Sequence, residues 1–329
     1  MQIGLWGKLD STYLRLIRQL GVTGALYWGI KPPEGKDVID YLELVNLRAR
    51  YNDAGLELFT LENLGNQAQY YDPIILGKPE RDKKIEDIAG CIRVMGQVGV
   101  PHFGFHWMVA PNPVGTNPVF GTSHSTPIRG GATVRSFDMG KTSKDLLFRD
   151  RVYTEEEIWA NFEYFIKALV PVAEEAGVTL SLHPDDPPVP RFGGIPRLFG
   201  TFEGFQRAVE IADSPNFGLT FCLGNWGLMG PGVAEKGVKY FGERDKICYV
   251  HLQAVQGTRE KFNECFFEEG QLDFLNILRL LREVSFDGYV LPSHAARVEG
   301  DLNENEGLLS STYCVGYLQS LLRILRDEE

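Results

Sequence analysis

Short apolar runs alternate with amphipathic stretches from one end of the chain to the other. Runs of strand character cover Gln2–Trp6, Thr23–Trp28, Leu56–Glu62, His102–Trp107, Val178–His183, Gly218–Cys222, Ile247–His251 and Gly288–Leu291. Each is short, apolar and closed by Gly, Pro or a polar turn. Between them the apolar positions recur at helical spacing. Leu14, Ile17 and Leu20 follow the first run; Ile85, Ile88, Ala89 and Ile92 precede the fourth; Phe162, Phe165, Ile166, Leu169 and Ala173 precede the fifth. Thr154 with Glu157 predicts a capping box at the start of that last helix. Gly21, Gly55, Gly99 and Gly177 stand where helices should stop, just ahead of a strand.

Strand–helix alternation implies parallel pairing, and eight such units predict an α/β fold of the (β/α)₈ barrel type. The glycines between Gly218 and Gly230 follow a strand, but their spacing is wrong for a dinucleotide fingerprint. A single domain over residues 1–329 is expected. One segment breaks the pattern. Met108–Tyr153 follows the fourth strand, holds no clear helix and is crowded with Pro and Gly in its first part. A long connection leaving the C-terminal end of a barrel strand is expected to be a lid over the mouth.

Composition narrows the function classes. The 329 residues carry a formal net charge of −11 and no Lys/Arg-rich run, which argues against nucleic acid. No apolar stretch reaches the roughly 18 residues of a membrane span, and the N-terminal MQIGLWGKLD has no signal-peptide pattern. The five cysteines are odd in number and scattered, so no disulfide framework is expected and a reducing cytoplasm is inferred.

The chemistry gathers at the strand ends. His183, Cys222 and His251 close three of the last four strands. In a barrel those ends share one mouth, and imidazole and thiolate both bind divalent transition metals. The eighth strand runs into Pro292-Ser293-His294, where Ser293 is a poor ligand and His294 a ligand or general acid–base. In His183-Pro184-Asp185-Asp186-Pro187-Pro188 the prolines stiffen the backbone, and Asp185 and Asp186 could orient the histidine. Arg135, Arg191 and Arg197 lie on predicted mouth loops and could hold a carboxylate bidentately.

The segment Asn161–Arg197, with Thr220–Gly227, Tyr249–Leu252, Phe262–Gly270, Asp273 and Thr312–Tyr313, closely resembles the mannonate dehydratases. The likeness runs the whole length, weakly over 1–150 and strongly over 154–290. It implies a xylose-isomerase-like TIM barrel that removes water from D-mannonate to give 2-keto-3-deoxy-D-gluconate with Mn²⁺. The resemblance places the metal ligands at His183, Cys222 and His251, and the catalytic His and Tyr at His294 and Tyr313. The family's fourth ligand is an Asp; here it is Ser293, and the Gly-His that follows is Ala295-Ala296. Loss of that carboxylate leaves a softer site, to which Zn²⁺, Fe²⁺ or Co²⁺ is also suited. The expected partners are a small anionic sugar acid, bound near Arg135, Arg191, Arg197 and Asp185, and further copies of the chain in a homo-oligomer. Two rival readings keep the same barrel: a sugar or sugar-acid isomerase or epimerase, in which Glu62 would be a base or ligand, and a non-catalytic sugar-acid-binding paralogue.

Overall fold

The computed structural model describes residues 1–65, 67–109, 120–143, 145–301 and 307–328. Eight parallel strands close on themselves: Gln2–Trp6, Gly24–Ile30, Glu57–Leu64, His102–His106, Thr179–His183, Phe217–Cys222, Ile247–Leu252 and Tyr289–Pro292. Each neighbours its predecessor, and the eighth pairs with the first through Gln2 opposite Tyr289. All eight expected strands are present, with ends displaced by a residue or two.

The outer helices follow from local signals. Thr154 and Glu157 form the reciprocal capping box that opens helix Glu155–Ala176, and three glutamates in its first turn complement the helix dipole. That helix buries Phe162, Phe165, Ile166 and Leu169 against the barrel. Each such side chain contributes roughly 1.5–3 kcal/mol when fully buried. Gly21, Gly55, Gly99 and Gly177 all take positive φ, as expected of residues that end helices.

Inside the barrel the side chains lie in layers. Leu26, Phe59, Tyr249, Tyr289 and Leu291 fill one layer, with the Phe59 and Tyr289 rings stacked at 4.2 Å. Above them Ser181 and Thr220 hydroxyls share a hydrogen bond of 2.9 Å. The next layer holds Glu62, His106, His183, Cys222 and His251, all buried. Strand alternation accounts for this: Ser181 and His183, Thr220 and Cys222, and Tyr249 and His251 are each two apart and share the inward face.

The segment after the fourth strand is built differently from the expected loop. Its described residues include strands Thr122–Pro127 and Thr133–Asp138, which pair antiparallel. The second also pairs with Lys261–Glu264, itself in a hairpin with Val255–Thr258, to make a four-stranded sheet. Phe137, Val189, Phe192, Leu228, Val255 and Phe262 form a separate apolar cluster beneath that sheet. Thr133 also exchanges backbone hydrogen bonds with Arg297, beyond the eighth strand.

Candidate metal centre and active site

Register assembles the centre. His106 pairs with His183 on neighbouring strands, and Cys222 pairs with His251. In-register residues of parallel neighbours project to the same side, so the four side chains are delivered together at the C-terminal rim. One donor atom from each of His183, Cys222 and His251 lies within 4.8 Å of the others. The three ligands expected from the strand ends are thus brought together. A second group, Glu62, His106 and His183, meets the same 4.8 Å limit and shares His183 with the first.

The donor atoms are in a state to bind. His183 Nδ1 lies 2.7 Å from the Pro184 carbonyl oxygen. Donation to that oxygen protonates Nδ1 and leaves the Nε2 lone pair for a ligand. Burial, then the neighbouring His106, holds the His183 pKa well below the usual imidazole range, which keeps the ring neutral. Both ring nitrogens of His251 are buried without a hydrogen-bond partner, and its Nε2 lies 3.4 Å from Glu62 Oε2. Cys222 Sγ donates to Gln253 Oε1 at 3.0 Å and accepts from Asn225 Nδ2 at 3.4 Å. Burial pushes that thiol up, and the charge of Asp186 adds to the effect; a divalent cation reverses this by stabilising the thiolate. Two imidazoles and one sulfur form a donor set that suits a divalent transition metal.

Glu62 sits beside this group on the third strand. It accepts from the Tyr249 hydroxyl at 2.8 Å and lies 3.0 Å from His106 Nε2. Burial alone would raise its pKa, but His251 and His106 more than offset that and hold it well below the carboxylate range. Gly104 makes room, since a Cβ there would meet the Tyr249 hydroxyl and, at 2.7 Å, Glu62 Cγ.

A charged wall faces the centre. Arg135, carried by strand Thr133–Asp138, donates from Nη1 to Asp186 at 2.6 Å and from Nε to Glu264 at 2.8 Å. His294 Nδ1 lies 2.9 Å from Glu264 Oε1. Burial would raise the Asp186 pKa, but Arg135 and His294 hold it at about 2. His294 is raised instead: burial lowers it, and the Glu264 carboxylate more than offsets that. His294 also holds the left-handed backbone conformation, φ 57°, an uncommon state for a residue with a side chain. Arg135 Nη2 is buried without a partner. These groups line a cavity of about 680 Å³ together with Glu62, His106, His183 and His251, and Trp6 and Trp28 add an aromatic part to the lining.

Other expected residues lie elsewhere. Arg191 is exposed, and its Nη1 donates to the carbonyls of Tyr153 and Gly194, so it braces a loop rather than facing the cavity. Arg197 is buried but directed at Asp185, at 3.4 Å. Asp185 also accepts from the Phe199 N–H at 2.6 Å. Burial raises the Asp185 pKa to about 6, the Arg197 charge opposing. Neither aspartate is the partner of His183 Nδ1; that role belongs to Pro184. Tyr313 is 38% exposed on helix Leu308–Asp327. Its hydroxyl donates to Glu268, which also pairs with Arg129, and it does not line the cavity. Of the lid expected over Met108–Tyr153, residues 110–119 and 144 lie outside the described ones; His124, Thr133, Val134 and Arg135 line the cavity.

His106, Glu264, Trp6 and Trp28 are not singled out by the sequence pattern, and Glu62 enters there only as a base or ligand of an isomerase. Glu62 and His106 lie at or near strand ends, the same signal that singled out His183. All five cysteines are free, as expected. Among the described residues no helix is long and apolar enough to cross a membrane.

Relatives bear on which chemistry this centre serves. Mannonate dehydratases of Streptococcus pneumoniae (strain 70585) and Thermotoga maritima are each 28% identical to this chain; the first alignment covers 98% of the chain and 94% of the relative, the second 95% of each. The crystal structure of mannonate dehydratase from Streptococcus suis serotype2 superposes with a TM-score of 0.83 at 28% identity, covering 98% of this chain and 93% of that one. A xylose isomerase domain protein from Planctomyces limnophilus superposes with a TM-score of 0.62 at 14% identity, covering 99% and 97%, a likeness of fold alone. That likeness does not support an isomerase or epimerase activity, whereas the family described as D-mannonate dehydratase (UxuA) matches residues 1–145 and 135–328. This chain belongs to the D-mannonate dehydratase family.

Proposed function

We propose that the chain removes water from D-mannonate to give 2-keto-3-deoxy-D-gluconate, using a divalent cation held by His183, Cys222 and His251. The observation that supports this most directly is that the three donors converge within 4.8 Å, and two of them, His183 and His251, line the same cavity as Arg135, Asp186, Glu264 and His294. Mn²⁺ is the ion the family implies, and Zn²⁺, Fe²⁺ and Co²⁺ suit the same N,N,S set. When bound, the ion supplies Lewis-acid polarisation of substrate oxygens.

The chain's own residues do the rest. Arg135 is fixed by two carboxylates and keeps Nη2 for the substrate carboxylate. The reaction moves the proton on the carbon beside the carboxylate to a base at the cavity and releases the hydroxyl of the next carbon, protonated, as water. His294, whose raised pKa keeps it protonated to higher pH, is the acid that gives a proton from Nε2 to the departing hydroxyl. Glu264 holds Nδ1 and so sets the ring's orientation. The sheet carrying Arg135 and His124 shields the reacting centre from water, which strengthens these interactions. Assembly as a homo-oligomer in a reducing cytoplasm completes the proposal; sedimentation tests the first part.

The test is incubation of metal-loaded protein with D-mannonate and a panel of other hexonates and hexuronates, with product masses resolved. A product lighter than D-mannonate by one water is expected. A product of unchanged mass would assign an isomerase instead, and binding without turnover a non-catalytic paralogue.

A further inference from the structure

Ser293 leaves the proposed cation centre short of negative charge. It is fully buried, and its hydroxyl has no hydrogen-bond partner. It follows Leu291 by two positions and so shares the inward face of the barrel, but a neutral hydroxyl contributes no charge.

We propose that Glu62 supplies the carboxylate ligand of that centre from the third strand, three places around the barrel from the eighth strand that precedes Ser293. This rests on the metal-dependent reading above. Three observations carry it. First, Glu62 adjoins the donor triangle on two sides. It groups with His183 and His106 within 4.8 Å, and its Oε2 lies 3.4 Å from His251 Nε2. Two donor atoms bound to one ion at about 2.1 Å and at a tetrahedral angle stand roughly 3.4 Å apart.

Second, the carboxylate is fully buried, and it faces a tyrosine hydroxyl and two imidazoles. No lysine or arginine pairs with it among the described residues. Imidazoles compensate that buried charge only when protonated, and a divalent ion at the triangle would supply the compensation in their place. Third, the surroundings fix its direction. Tyr249 and His106 each hold one oxygen, at 2.8 and 3.0 Å, and Gly104 leaves the space that Glu62 occupies. Groups of this kind orient metal ligands.

The experiment uses full-length protein stripped with a chelator and titrated with Co²⁺ alone. Absorption reads the cysteine-sulfur charge-transfer band and the ligand-field bands; competition with a chromogenic chelator reads affinity. The proteins are the wild type, Glu62→Gln, Glu62→Asp and Glu62→Gln with Ser293→Asp, each checked for folding by circular dichroism. Glu62→Gln should bind Co²⁺ at least tenfold more weakly and change the ligand-field bands while keeping the sulfur band. Glu62→Asp should fall between, and Ser293→Asp should recover most of the affinity lost in Glu62→Gln. Wild-type affinity and an unchanged spectrum in Glu62→Gln would overturn the proposal, even if turnover is lost, since that pattern belongs to a base and not a ligand. A wild type that shows no sulfur-to-cobalt band at all would instead overturn the metal-dependent reading on which it rests.

Discussion

His106 lies flat against His183, their ring centroids 3.9 Å apart and their planes 12° from parallel. The contact follows from register, because the two residues are partners at the ends of adjacent parallel strands. It also fixes the candidate ligand from the side that Pro184 does not hold. His106→Ala removes this support and is expected to weaken divalent-cation binding by about 10–100-fold. Competition against a chromogenic chelator measures it, and an unchanged affinity would show that the stack does not position His183.

The His294–Glu264 pair makes a prediction about pH. His294 faces Glu264, Arg135, Asp186 and, from the inserted sheet, His124. Burial lowers its pKa and Arg135 acts in the same sense, but Glu264 and Asp186 outweigh them and carry it above 6.5. An acid must hold its proton, so kcat/KM is expected to fall as pH rises through that raised value. Glu264→Gln removes the principal raising influence, and the alkaline limb should move to lower pH. A limb that stays in place would separate His294 from the acid role.

Arg135 joins two buried carboxylates, and its own side chain is 6% exposed. Arg135→Met leaves Asp186 and Glu264 buried without their shared cation. The expected loss is about 3–5 kcal/mol of stability, the range for breaking a buried pair from one side. Urea unfolding reads it, and a loss under about 1 kcal/mol, the ceiling typical of exposed pairs, would contradict the account.

The barrel was legible because each strand is apolar, short and bounded by breakers. The same strand ends exposed His183, Cys222 and His251, since chemistry on this fold collects there. Glu62 and His106 met that criterion too, but a single Glu in an apolar strand has an ordinary structural reading. Local pattern could not rank Arg135 above Arg191. That choice depends on Thr133–Asp138 pairing with Lys261–Glu264, a contact between distant parts of the chain. Nor could it place Tyr313, whose side of its helix depends on packing against the Phe266 and Glu268 region.

Gly104 tests how tightly the layer beneath the centre is packed. A methyl group there would press on Tyr249 and Glu62. Gly104→Ala is expected to cost about 1–3 kcal/mol, as overpacking does, and to lower metal content in the purified protein. Thermal unfolding with elemental analysis reads both; wild-type values in both would show that the layer can yield.

The central claim is that this family member works through a cation at the ends of the fifth, sixth and seventh barrel strands. The most direct measurement is a crystal structure of the Mn²⁺-loaded protein with D-mannonate, with anomalous data collected at the manganese edge. The account predicts an anomalous peak within bonding reach of His183, Cys222 and His251, with the substrate carboxylate against Arg135. Full manganese occupancy at a different site, with those three side chains unliganded, would contradict it.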